Sequence, residues 1–249
     1  MELKVDKDGL LYIDDNTDMY KRLLNLDHRN VHEYFANNFF SIPGTKDYII
    51  KKPLTIWDKR LRERYKEMLI KLVERQKLIK KTDFPIGYQR ENRKMEGLIV
   101  RYYEPSKTSI SLDQIKTKEC FERAVNKVQL LKQYYFHDED DIHNFFLFLL
   151  DVLDAIYEMF ENGVYYIDIN PGNIVFYQNN AKIIDFDPSR VTFDNKDLKL
   201  QTIMKLFVDL VNMLLEDYEL YDYVDATLHN FEEAKTFTKR IEEKARRYR

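Results

Sequence analysis

The sequence predicts an α+β chain of two lobes, a small strand-rich first part built around one long helix and a larger, mostly helical second part. Three observations lead there. Aromatic and β-branched runs bounded by turn residues crowd the first hundred positions. A single strong helical period interrupts them. Beyond Pro105 the apolar pattern turns helical, broken by one strand-like stretch, "NGVYYIDINPGNIVFYQNNAKIIDFDPSR", from Asn162 to Arg190. The division is placed at 1–103 and 104–249, with a hinge near Tyr102 to Pro105.

Taken in order, "GLLYI" (Gly9 to Ile13) and "VHEYFANNFFSI" (Val31 to Ile42) read as strands. Pro43-Gly44 signals a turn, and "DYIIKK" (Asp47 to Lys52) is the next strand. Trp57 to Lys80 reads as a helix, because Leu61, Tyr65, Met68, Leu69, Leu72, Val73 and Leu78 recur at helical spacing until Asp83 to Pro85 ends it. "IGYQREN" and "GLIVRYYE" (Gly97 to Glu104) form a strand pair across a charged turn. Cys120 to Tyr135 is expected to be helical. Asp141 to Glu161 is a stronger helix, with Phe145, Phe146, Leu149, Val152, Leu153, Ile156 and Phe160 on one stripe and Asn162-Gly163 as its stop. Two short strands joined by "QNN" follow. Asp197 to Leu215 is a helix apolar around much of its circumference, hence buried, and Phe231 to Arg249 is a charged helix with a basic tip.

Composition narrows the function classes. The chain has 249 residues, 44% hydrophobic and 33% charged, which is globular and sufficient for a sizeable core. A net charge of −3 argues against a general nucleic-acid-binding surface. The longest apolar run, "FFLFLL" (Phe145 to Leu150), is far too short to span a bilayer, and "MELKVDKDG" lacks a signal-peptide core. One cysteine, Cys120, excludes an intrachain disulfide framework and a thiolate-only zinc site. The expectation is a soluble, cytoplasmic chain with no transmembrane segment. His137 and His143 near "DEDD" read as a solvated helix start with acids favoured by the macrodipole.

The chemistry concentrates in the quoted stretch. Strand-like apolar residues should bury and carboxylates should not, yet Asp168 and Asp185 stand at the ends of such runs. Asn173 follows Asp168 by five positions, across Pro171-Gly172, and Asp185 follows Asn173 by twelve. A carboxylate at the mouth of a strand pair can hold a hard cation through oxygen, and an Asn carbonyl adds a neutral ligand of the kind magnesium accepts. A further carboxylate facing the same gap can orient a hydroxyl nucleophile and accept its proton.

"DINPGN" followed by "IIDFD" resembles the D-x-x-x-x-N and D-F signature of the protein-kinase-like superfamily. The resemblance covers about residues 25 to 215 and is tightest from Asp168 to Asp187. It implies a bilobal protein-kinase-like fold and an ATP- and Mg²⁺-dependent transfer of phosphate to a hydroxyl acceptor. Asp168 would be the catalytic base, Asn173 and Asp185 the magnesium ligands, and Ile174 and Phe176 would lie beneath the adenine. The backbone of Tyr102, Tyr103 and Glu104 would meet its edge. The phosphate-binding lysine would be Lys51 in "YIIKKP", with Lys52 on the opposite strand face as the alternative. Its glutamate partner would be Glu74, with Glu67 in reserve and Glu63 also on the helix.

The departures are as informative. No G-x-G-x-x-G is present; "LDHRNVHEYF" stands in its place, without a glycine to let the backbone close on phosphate. Tyr166 and Ile167 replace the His and Arg of H-R-D, which removes the arginine that answers a phosphorylated activation loop. Asn170 replaces the lysine after the catalytic Asp, and Asp187 the glycine of D-F-G. Only a short run separates Asp185 from the helix near Asp197. The chain thus looks closer to aminoglycoside, choline and sugar-lipid kinases, and to Rio-type kinases, than to typical Ser/Thr/Tyr kinases. A small-molecule or sugar acceptor is favoured over an atypical Ser/Thr protein kinase, and a non-catalytic pseudokinase module is the other alternative.

Overall fold

The computed structural model describes residues 3–14, 37–42, 45, 47–53, 57–101, 109–111, 141–170, 173–177, 180–194, 196–217 and 224–247. The chain forms two compact units. The first comprises Met1–Leu78, Asp83–Glu104 and Phe186–Pro188; the second comprises Ile79–Thr82, Pro105–Asp185 and Ser189–Arg249. Expectations at Val31–Ala36, at Tyr102–Glu104 and for the Cys120–Tyr135 helix lie outside the described residues.

The first unit is built on a six-stranded sheet. In chain order the strands are β1 (Lys4–Val5), β2 (Leu11–Asp14), β3 (Asn37–Ser41), β4 (Tyr48–Pro53), β5 (Gly87–Glu91) and β6 (Lys94–Arg101). Their spatial order is β1-β2-β5-β6-β4-β3, antiparallel throughout except for the parallel pair β2–β5. The β5–β6 hairpin turns through Asn92 and Arg93, both at positive φ (49° and 64°), the backbone hand that matches strand twist. Ile13, Ile42, Ile50 and Ile99 form a buried cluster with Tyr48 and Ile86 packed on it.

Helix α1 (Lys59–Gln76) begins where Asp58 Oδ1 accepts from Leu61 N at 2.7 Å, an N-cap that satisfies one of the first-turn amides. Its buried stripe is Tyr65, Met68, Leu69 and Leu72. It is tied to β6 by Arg62, which donates to Met95 O and pairs with Glu96, and to the β1–β2 turn by Lys66, 2.5 Å from Asp8. The helix is shorter than its periodicity predicts. Leu78 N bonds back to Arg75 O in a closing turn, and Leu78 is exposed.

In the second unit, α2 (Asp141–Glu161) ends as its sequence predicts. Gly163, at φ 70°, donates to Phe160 O, and Val164 N donates to Met159 O, the paired bonds of a Schellman stop. Helix α3 (Lys196–Asp217) is buried along Ile203, Met204, Phe207, Val208, Leu210, Val211, Leu214 and Leu215. The last helix, α4 (Phe231–Arg247), packs on α2. Three strands, β7 (Ser109–Ser111), β9 (Ile174–Tyr177) and β10 (Asn180–Ile183), form a sheet ordered β10-β9-β7, and β8 (Tyr165–Tyr166) pairs with β11 (Val191–Thr192). Among the described residues no helix is long and apolar enough to cross a membrane.

Candidate active site

The stretch from β8 to β11 folds back on itself. Val191 pairs with Tyr166 and Thr192 with Tyr165, and Ile167 N donates to Arg190 O at 2.9 Å. Asp168 therefore follows directly on a short antiparallel ladder rather than sitting on a free loop. The β9–β10 hairpin sets Ile174 opposite Ile183, and Ile184 N extends the ladder by donating to Asn173 O at 2.9 Å. That register brings Asp185 to within one residue of the partner of Asn173.

Asn173 is buried, with 8% of its surface exposed. Its Nδ2 lies 3.0 Å from Asp168 Oδ2, 3.0 Å from Asp168 O and 2.8 Å from the Tyr166 hydroxyl. Two amide protons are thus shared among three acceptors. Among the described residues nothing donates to its Oδ1, so that oxygen could accept from or coordinate a further group. Asn170 Nδ2 also turns inward, to Asp168 O at 3.0 Å and Oδ1 at 3.2 Å. Both Asp168 carboxylate oxygens accept a neutral amide, which fixes the plane of the group without neutralising it. Arg190 Nη1 stands 3.6 Å from Oδ1.

Tyr166 ties the site together. It is almost fully buried; its hydroxyl accepts from Asn173 and lies 3.2 Å from Ile184 O and 3.4 Å from Asp185 O. One phenol therefore spans both strand ends. The sequence marks Tyr166 only as a substitution in H-R-D; its role follows from the register that sets Asn173 beside Ile184. Arg190 has no signal in the motif either, since its place depends on β8–β11 pairing.

Asp185 is exposed and adopts φ 67°, a left-handed conformation uncommon outside glycine. The segment after it belongs to the first unit. There Phe186 meets Phe84 edge-on at 4.7 Å, and Tyr65, stacked on Trp57, donates to Asp187 at 2.5 Å. Burial, then the hydrogen bond to and charge of Asp187, push the Tyr65 phenol far above the ordinary tyrosine range.

Of the other expected site residues, Ile174 is buried beside Asn173, and Phe176 lies on β9 opposite Ala181. Lys51 is on β4, half-buried, paired with Leu98. Lys52 is engaged elsewhere, 2.7 Å from Glu91. Glu63, Glu67 and Glu74 are exposed on α1.

The donor set suits magnesium. Among the described residues no three His, Cys, Asp or Glu side chains gather into a metal cage. An Asn oxygen with one carboxylate is instead the sparse protein contribution that Mg²⁺ takes when phosphates and water supply the rest.

No family model matches the sequence, and no curated protein is similar to it in sequence. Among solved structures the chain is similar to an apo pseudokinase, with 11% identity over 98% of this chain and 79% of that one and a TM-score of 0.50. That likeness supports the α+β, protein-kinase-like fold.

Proposed function

We propose that the chain is an ATP- and Mg²⁺-dependent phosphotransferase acting on a hydroxyl acceptor. The observation that carries this reading is the bond from Asn173 to Asp168, with Asp185 at the adjoining strand end. Asp168 accepts the acceptor's hydroxyl proton as its oxygen attacks the γ-phosphorus; the bond from that phosphorus to the bridging oxygen breaks, and ADP leaves with the electron pair. Asn173 and Asp185 would hold Mg²⁺, which neutralises charge on the phosphates when bound. Lys51 would grip them, Lys52 being paired with Glu91, and Glu74 or Glu67 would steady Lys51. Ile174 and Phe176 would support the adenine, and the backbone of 102–104 would read its edge.

A small acceptor is favoured. The stretch between Asp185 and α3 is short, and part of it is spent on β11 pairing with β8, which leaves little chain for a peptide platform. The missing glycine loop and Asn170 favour the second reading, a nucleotide-binding pseudokinase module. ATP turnover with Mg²⁺ across a panel of sugars, amino alcohols and proteins separates the two. Asp168→Asn is expected to lower kcat by roughly 10²–10⁴-fold with nucleotide affinity little changed. Nucleotide binding without turnover on any acceptor overturns the enzyme in favour of the module.

A further inference from the structure

We infer that Arg190 is the cation that meets the transferring phosphoryl group. This rests on the phosphotransferase reading and names a catalytic residue within it. The transferred group carries its charge on equatorial oxygens, and a cation placed there in advance is among the largest contributions a protein makes to such a reaction. At Asp168 the residues closest in sequence offer none, because Ile169 and Ile167 are apolar and Asn170 is a neutral amide already turned onto Asp168 O and Oδ1.

Arg190 arrives from the other strand of the ladder. Its carbonyl accepts from Ile167 N at 2.9 Å and its neighbour Val191 pairs with Tyr166, so its backbone is held in register with the residue preceding Asp168. Nη1 lies 3.6 Å from Asp168 Oδ1, within ion-pair range but longer than a hydrogen bond. The side chain is 53% exposed against 27% for Asp168, so the guanidinium approaches the carboxylate from the solvent side. A planar fork of five N–H groups suits bidentate capture of phosphate oxygens beside the base. At this separation the pair is loose enough for phosphate oxygens to compete for the guanidinium. A half-exposed pair at this distance also contributes little to stability, so function can be separated from folding.

Arg190→Ala, Arg190→Lys and the wild type are compared for steady-state ATP turnover, for binding of ADP with Mg²⁺ alone and with aluminium fluoride, and for thermal melting. Arg190→Ala is expected to lower kcat by roughly 10²–10³-fold, below the full range of an arginine finger because the pair is exposed. KM for ATP should move less than about threefold. Aluminium fluoride should tighten ADP on the wild type, and Arg190→Ala should lose about 10²-fold of that gain. Added guanidinium should restore part of the turnover, and Arg190→Lys should fall between. If alanine prevents folding, Arg190→Gln keeps the stem and loses the charge. Wild-type kcat in the alanine variant, or an undiminished aluminium-fluoride gain, overturns the role of Arg190 and leaves the phosphotransferase standing. A wild type that neither turns over ATP nor binds ADP more tightly with aluminium fluoride overturns both.

Discussion

Asp185 holds a left-handed backbone at φ 67° while its carboxylate is exposed at a strand end. Such a conformation costs a non-glycine residue about 1–2 kcal/mol and persists where something else requires the side chain. Asp185→Gly is therefore expected to melt no lower than the wild type; if Asp185 holds Mg²⁺ as proposed, turnover should fall by at least the ~10–100-fold that losing a supporting metal-site residue costs. A variant that is both inactive and several degrees less stable would contradict the strain argument. Tyr65 makes the opposite case, a side chain that stabilises without acting. Its phenol is buried against Asp187 and held protonated well past the usual range. The folded state then keeps a proton that the unfolded chain releases above pH ~10, so stability is complete below that pH and declines as pH rises beyond it. Tyr65→Phe should cost about 1–3 kcal/mol at neutral pH and flatten that alkaline decline in urea melts.

At the scale of elements, the parallel pair β2–β5 depends on one small residue. A Cβ at Gly87 would stand 2.2 Å from Leu11 O, with no flexible atom to give way. Gly87→Ala should force the strands apart and cost more than ~2 kcal/mol in thermal or urea unfolding. This pairing was not legible in the sequence, since nothing in "GLLYI" or "IGYQREN" states that they are neighbours. The helices were legible. The stripes of α2 and α3 repeat over five turns or more, and α2 carries its own Asn-Gly stop. Two-residue strands such as β8 and β11 have no period to detect, and with them went the positions of Tyr166 and Arg190. Asp168 and Asn173 could be linked by local spacing alone, and Asp185 followed from the β9–β10 hairpin. Lys51 and Glu74 could only be assigned by resemblance, because nothing local distinguishes a functional strand lysine or helix glutamate from a solvated one.

For the whole molecule, the assignment of short segments matters more than the position of any single cut. Ile79–Thr82 lies amid first-unit sequence yet belongs to the second. The Lys80 and Lys81 amides donate to Glu158 on α2 at 2.9 and 2.8 Å, Lys81 Nζ reaches Asp151, and Lys182 Nζ donates to Lys80 O at 2.6 Å. Hydrogen exchange on the intact chain should show these two amides opening with α2 rather than with α1. Glu158→Gln, which weakens both acceptances, should speed their exchange by roughly tenfold, the equivalent of about 1.4 kcal/mol, and leave α1 unchanged. Equal acceleration in α1 would contradict the partition.

The reverse loan, Phe186–Pro188, bears on how the chain is made. Tyr65, Phe84 and Arg64 all find partners in those three residues, which are synthesised more than eighty positions after Glu104 closes the main run of the first unit. A nascent chain emerging N-terminus first can pair its six strands early but must hold the Tyr65 hydroxyl and the Phe84 ring unmatched until translation passes Pro188. Arrest of the ribosome before that point should leave the sheet formed and the Tyr65 side of α1 open to solvent.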